Sequence, residues 1–504
     1  MTIIRNAMVF DVDAGFVPKD IAMDGGLFCA CHPQGRAGRP DTHPSPPDQA
    51  PPTSAAKPYH DSALGAPVET SGASSAFGPS DIHVIDAAGL YAIPGLIDLH
   101  THGCVGEDYA LSDPDGIRKM LSYQAANGVT GICATTMTLS EEMLTQAVAN
   151  IRRCATTMTL PDETPTLAVT NTRHCAAPGA PDDACPPAQD VQSAPARHFP
   201  AQDAQTGLER HFHAQDAPSG HAHILGIHLE GPFVSPHKLG AQNPAYQHNP
   251  DPGMFQRLQN ASGGMVKLLA MAPELPGGMD CIKELSPHVR ISLAHTTADY
   301  GTAAAAFDCG AREVTHLYNA MPPFSHREPG VVGAALDDHR VMVELICDGV
   351  HIHPAVVRAT LGMFGEDRVI FISDSMMATG LGDGMYSLGA LPVEVKGKKA
   401  VLAQGAGQSS IAGSVCNLMM NLRTAVNEMH IPLHVAVKCA TANPARALGI
   451  SDRYGAVEPG KAAHLVLLDQ NLDIKQVFVD GMPMSAALSS NQEKKSLQIP
   501  PATS

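Results

Sequence analysis

Residues 290–319 read RISLAHTTADYGTAAAAFDCGAREVTHLYN: two short apolar runs, RISLAHT and EVTHLYN, each carry a histidine near the end and are joined by an alanine-rich, helix-like stretch. A strand, a helix and a second strand in succession call for a parallel sheet covered by helices. The same unit repeats in both directions. Upstream stand AIPGLIDLH (92–100), GVTGICATT (128–136), ILGIHLE (224–230) and VKLLAMAPE (266–274); downstream stand VMVELICDG (341–349) and RVIFISD (368–374). Eight such units are the number that closes a (β/α)8, or TIM, barrel, so the fold class is α/β.

The C-terminal ends of barrel strands are where this architecture gathers reactive groups. Most of the eight runs end in His, Glu or Asp, which makes His100, His102, Glu230, His295, His316 and Asp374 the candidates. His100 and His102 are one residue apart, so on an extended strand their imidazoles point to the same side, spaced to hold one cation. His295 and His316 end adjacent strands at the same rim. Glu230 adds an anionic oxygen able to bridge two cations, and nitrogen together with carboxylate oxygen suits Zn²⁺ or Fe²⁺ better than Mg²⁺. Asp374 completes the set from the eighth strand. A carboxylate there takes the proton of a metal-bound water as hydroxide attacks a carbonyl, then delivers it to the departing amine, which is amide hydrolysis.

The rest of the chain bounds this reading. Its 504 residues are 44% hydrophobic, enough for one large core or two ordinary ones. Lys and Arg number 33 against 50 Asp and Glu, a formal charge of −17 that repels nucleic-acid phosphates and anionic membranes alike. No stretch reaches 18 uninterrupted apolar residues, and residues 1–10 lack an export signal. The 12 Cys sit mostly in apolar runs as reduced buried thiols, which points to the cytoplasm; the close pair Cys29 and Cys31 is assigned no metal or redox role. Two Pro-rich insertions interrupt the pattern, 29–81 with ten Pro and 161–221 with nine, and both read as loop or disorder. Their histidines, His32, His43, His60, His174, His198, His211 and His213, read as solvated side chains.

The motifs PGLIDLHTHG, GIHLEGPF, LAHT, VTHLYNAM, REPG, DGVH, SDSM and IAGS occur in this order, and the chain resembles the N-acetylglucosamine-6-phosphate deacetylases of the amidohydrolase superfamily. The resemblance implies a TIM barrel over 93–454, interrupted by 161–221. It also implies a small β-sandwich built from 1–92, interrupted by 29–81, together with 455–485, followed by a flexible tail at 486–504. Glu230, His295 and His316 then hold the principal metal, Asp374 is the acid/base, and His100 and His102 occupy the positions of a second metal, giving one or two Zn or Fe(II) ions. The implied contacts to an amino-sugar phosphate are Asn319, the backbone of Ala320, Arg327, His351 and the loop Ile411, Ala412, Gly413. Arg bonds two phosphate oxygens at once, and in this family such a residue can reach in from a neighbouring subunit, so a homodimer is expected.

One position departs from the family. Where relatives carry KGAHNP this chain reads KLGAQNP, so Gln242 stands where a His contacts the acetyl carbonyl. Gln donates a hydrogen bond without a charge, and a second metal is expected to make good the weaker help. Cys104, just after HTHG, reads as a packing thiol. The expected reaction is hydrolysis of N-acetylglucosamine 6-phosphate to glucosamine 6-phosphate and acetate, in amino-sugar catabolism or cell-wall recycling. The alternatives are the galactosamine epimer, another N-acyl or cyclic amide, and a non-catalytic binding protein on the same barrel.

Overall fold

All eight runs form strands. The computed structural model describes residues 1–30, 82–156, 220–389, 391–403 and 410–484. Leu96–Thr101, Val129–Thr135, His223–Glu230, Val266–Met271, Arg290–Leu293, Glu313–Val314, Met342–Ile346 and Val369–Ile372 lie side by side in chain order, every pairing parallel. The insertions expected at 29–81 and 161–221 and the tail at 486–504 lie outside the described residues, apart from two residues at one edge of each insertion.

The seam that closes the barrel runs between the first and eighth strands. The Asp374 amide donates to the His100 carbonyl at 2.9 Å, and the His102 amide donates to the Ser375 carbonyl at 2.8 Å. Beneath them Asp98, fully buried, accepts from the Ser373 hydroxyl at 2.5 Å and from the Ser373 amide at 3.1 Å. Burial pushes the Asp98 carboxyl up to about 6, partly offset by these bonds. The same seam therefore brings Asp374 beside the two histidines of the first strand.

The run AIPGLIDLH is divided between two sheets. Tyr91–Pro94 belongs to a terminal sheet and Leu96–Thr101 to the barrel. Between them Gly95 passes against Thr130, where a Cβ would run into the threonine hydroxyl, so only glycine lets the chain cross here. The terminal sheet has the order Met482–Pro483, Ile474–Val479, Leu465–Leu468, Tyr91–Pro94, Thr2–Asp11, Gly15–Asp24, Leu27–Cys29, with His83–Asp86 also paired to Thr2–Asp11. Its far strand returns to the start of the C-terminal segment, because the Phe28 amide donates to Lys461 O at 2.9 Å and the Gly460 amide to Phe28 O at 2.8 Å. Ile4, Val9, Ile21, Phe28, Leu465 and Phe478 share one core, so the sheet curls into the small sandwich.

Several barrel helices start on aspartate caps. Asp113, Asp251 and Asp299 accept amide hydrogens of the helices Pro114–Ala126, Pro252–Ser262 and Tyr300–Cys309. A third sheet, Gly384–Leu388, Leu391–Lys396 and Lys399–Leu402, follows the eighth strand and covers the rim beside the site. Its alternating burial at Val393 and Val395 is the period of a half-buried strand. Cys104 is buried with its thiol toward the Met120 carbonyl, a packing role. Among the described residues no helix is long and apolar enough to cross a membrane.

Candidate active site

The six strand-end candidates converge. Glu230 is the last residue of the third strand, His295 and His316 follow the fifth and sixth, and Asp374 follows the eighth. His295, His316 and Asp374 have φ of +46°, +31° and +49°. Left-handed backbone costs a non-glycine residue energy and persists where the surroundings impose it, here turning three side chains inward at the rim.

Glu230 is the hub. Its Oε1 lies 3.0 Å from His295 Nε2 and 2.9 Å from His316 Nε2, which are 3.2 Å from each other. On the other side His102 Nε2 lies 3.3 Å from Oε2 and His100 Nε2 3.6 Å from Oε1, with the two imidazole nitrogens 3.1 Å apart. Asp374 Oδ1 stands 3.5 Å from His100 Nε2 and 3.3 Å from His102 Nε2. Glu230, His295 and His316 thus make one ligand-like trio, and His100, His102 and Glu230 a second that shares the carboxylate.

The chemistry of these atoms calls for a cation. The Lys238 carbonyl can only accept, so His295 Nδ1, 2.8 Å away, donates to it, and Nε2 of the neutral ring presents a lone pair. That lone pair faces Glu230 Oε1 and His316 Nε2, which are also electron-rich. Such crowding is stable when a positive charge lies between the atoms. With protons alone, burial opposes charge on His100 and His102, yet Glu230 and Asp374 win. The His100 imidazole is raised well above its ordinary value and that of His102 to about 9. Burial likewise works against ionised Glu230 and Asp374, but the facing imidazoles hold both carboxyls low. The residues present fit one or two divalent cations.

Three supporting residues are absent from the strand-end reading because they lie inside strands or turns. Glu344, in the seventh strand, reaches His100 Nδ1 at 3.4 Å and accepts the His316 amide at 3.2 Å. The ring of His228 meets that of His100 edge-on at 4.8 Å, while its Nδ1 donates to Leu99 O at 3.2 Å. Burial holds His228 well below its ordinary value, hence neutral. Asp348 accepts the amides of Val350 and His351 and bonds His351 Nδ1 at 2.7 Å, which aims that ring. An acid in the middle of the otherwise apolar stretch VMVELI (341–346) was the available signal for Glu344.

A cavity of about 330 Å³ opens over this cluster, the size of a small-molecule site. Gln242, Asn319, Ala320, His351, Ile411 and Gly413 line it beside His102, Glu230, His295, His316 and Asp374. Two expected contacts lie elsewhere. Ala412 is fully buried, its amide bonded to Ala400 O at 3.0 Å, and is not in the lining. Arg327 is exposed on its own loop, beside His326, and does not reach the cavity of its own chain. A larger groove of about 640 Å³ near Glu107 and Lys119 contains neither ligand trio.

Gln242 also differs from expectation. A backbone N–H cannot accept, so the atom facing the Thr138 amide at 2.7 Å is the carbonyl Oε1, and the NH₂ group is turned onto Glu230 Oε2 at 2.7 Å. Its second hydrogen faces Met137 Sδ at 3.9 Å. The amide is committed to the hub carboxylate rather than presented to a substrate carbonyl.

Comparison with known proteins follows the same lines. The amidohydrolase family pattern matches residues 91–484. The N-acetylglucosamine-6-phosphate deacetylase of Bacillus subtilis (strain 168) is 32% identical over 383 residues, 76% of this chain and 81% of that protein. The N-acetylgalactosamine-6-phosphate deacetylase of Escherichia coli O157:H7 is 29% identical over 411 residues, 81% and 92% of the two chains. A solved structure of a mutant N-acetyl-D-glucosamine-6-phosphate deacetylase from Mycobacterium smegmatis, in complex with N-acetyl-D-glucosamine-6-phosphate, superposes with a TM-score of 0.63 at 31% identity, covering 82% of this chain and 91% of that one.

Proposed function

The chain belongs to the amidohydrolase family, and from that premise we propose that it hydrolyses the acetamide of N-acetylglucosamine 6-phosphate to glucosamine 6-phosphate and acetate. The observation that carries this reading is the pair of ligand trios sharing Glu230, with Asp374 beside them on the wall of a cavity of about 330 Å³. Glu230, His295 and His316 would hold one divalent cation, Zn²⁺ or Fe²⁺, and His100 and His102 with Glu230 a second. Bound there, the metal supplies a Lewis acid and makes water acidic enough to react near neutral pH.

The chain's own groups supply the rest. Asp374 accepts the proton of the attacking water as the C–O bond forms, and returns it to the amine nitrogen as the C–N bond breaks. The Lys238 carbonyl fixes the tautomer of His295, and Glu344 stands 3.4 Å behind His100 Nδ1. Gln242 keeps the Glu230 carboxylate from rotating. Gln242→Ala therefore weakens metal retention about 10- to 100-fold, the usual cost of losing a group that orients a ligand. Metal content after dialysis against a graded chelator series checks this, and a changed KM with unchanged metal retention counts against it.

The phosphate needs cationic partners. Among the described residues of the cavity lining there is neither Lys nor Arg, whereas Arg327 lies exposed on a loop that follows the sixth strand. In a homodimer Arg327 of one subunit serves the cavity of the other. Arg327→Ala then raises KM for the phosphorylated sugar about 10- to 100-fold, the worth of a charge-assisted pair, with kcat nearly unchanged. Steady-state kinetics on phosphorylated and unphosphorylated sugar separate this from a general loss, which would affect both.

The galactosamine epimer is the second reading, because the Escherichia coli relative acts on it by name and is nearly as similar in sequence. Acetate release from the two phosphorylated epimers and from N-acetylglucosamine decides between them. Preference for the glucosamine phosphate is expected, and preference for the galactosamine phosphate replaces the substrate assignment.

A further inference from the structure

A second convergence of ligand-type side chains lies at the opposite end of the barrel. His223 opens the third barrel strand, His464 immediately precedes Leu465–Leu468, and Asp480 follows Ile474–Val479. His223 Nε2 is 2.9 Å from Asp480 Oδ2, and His464 Nε2 is 3.1 Å from Asp480 Oδ1. The imidazole rings stand 4.6 Å apart and nearly perpendicular, at 85°. The strand that runs from His223 to Glu230 separates this cluster from the hub carboxylate by about 23 Å at roughly 3.3 Å per residue. It has no part in the cavity described above.

The geometry points to a second kind of metal site: we propose that His223, His464 and Asp480 bind a divalent cation of the Zn²⁺ class, tying the start of the third barrel strand to the terminal sheet. Two imidazole nitrogens and a carboxylate, brought from three separate elements, offer donor atoms that all lie within 4.8 Å of one another. Nitrogen with carboxylate oxygen, completed by water, is a donor set of four-coordinate zinc. Tyr454 Oη lies 3.3 Å from His223 Nδ1, the placement by which a group behind a ligand turns the other ring nitrogen toward the metal. His464 is buried, which fixes its ring, whereas the Asp480 side chain is 37% exposed and leaves a way in for an ion and its water.

The test is a count of ions. The full chain, Asp480→Asn and His464→Gln are loaded with excess zinc, freed of unbound metal by gel filtration, and assayed for zinc per chain and for acetate release. Both substitutions keep a hydrogen-bonding group of similar size, and neither residue belongs to the proposed catalytic site. The expected result is one zinc fewer per chain in each variant, with acetate release unchanged. Zinc should also raise the thermal midpoint of the full chain more than that of either variant. Equal zinc counts in all three proteins overturn the proposal, as does a loss of zinc that carries acetate release down with it, since that loss belongs to the catalytic ligands. The zinc count and the thermal shift are read without any activity, so failure of the substrate assignment leaves the test intact.

Discussion

Asp374→Asn lowers the rate of acetate release about 10³-fold, within the 10² to 10⁴ range of a general acid–base group, while the chain keeps its metal. Asparagine matches the shape of the carboxylate, and the hydrogen bond from the Asp374 amide to His100 O that closes the barrel is a backbone bond, so the fold is kept. What is lost is the oxygen that takes a proton. Asp374 Oδ1 stands within 3.5 Å of both His100 and His102, so the substitution also removes a charge beside the second ligand trio. Metal content measured with the kinetics separates the two roles. If one ion is lost in step with activity, Asp374 acts as a ligand rather than as the proton carrier.

The second large effect is expected from His100→Ala combined with His102→Ala. The double variant should lose one ion per chain and about 100-fold in kcat, roughly 3 kcal/mol of transition-state stabilisation. The reason lies in Gln242. Its amide is occupied by Thr138 and Glu230, so it has no strong donor left to offer a developing oxyanion. Polarising the carbonyl then falls to the metal centre, and both halves of that centre are needed. Activity that survives with a single ion contradicts this account. His228 and Glu344, which stand against the His100 ring, would lose that neighbour.

Much of the fold was legible because the barrel strands are short apolar runs whose polar residues come at their ends. All six candidates at those ends meet within a few ångströms, which follows from parallel strands delivering their C-terminal ends to one rim. What was not legible depends on closure. Asp98 and Glu344 lie within apolar runs, and nothing local says that one binds Ser373 across the seam and the other backs His100. The left-handed backbone at His295, His316 and Asp374 is imposed by neighbours distant in sequence. The three-stranded sheet over 384–402 had only an alternating pattern of small amplitude. Arg327 illustrates the opposite case, since the motif around it was plain, whereas the cavity it serves in this account belongs to another copy of the chain.

If the shared carboxylate Glu230 and its four histidines hold the metal that deacetylation needs, turnover follows the metal bound there. The direct measurement is acetate release from N-acetylglucosamine 6-phosphate as a function of bound metal, starting from chelator-stripped protein and adding back Zn²⁺ or Fe²⁺. No turnover is expected without metal, and a rise in proportion to ions bound, absent in Glu230→Gln. A stripped chain that releases acetate at the full rate, or a fully metallated chain that releases none, would contradict it.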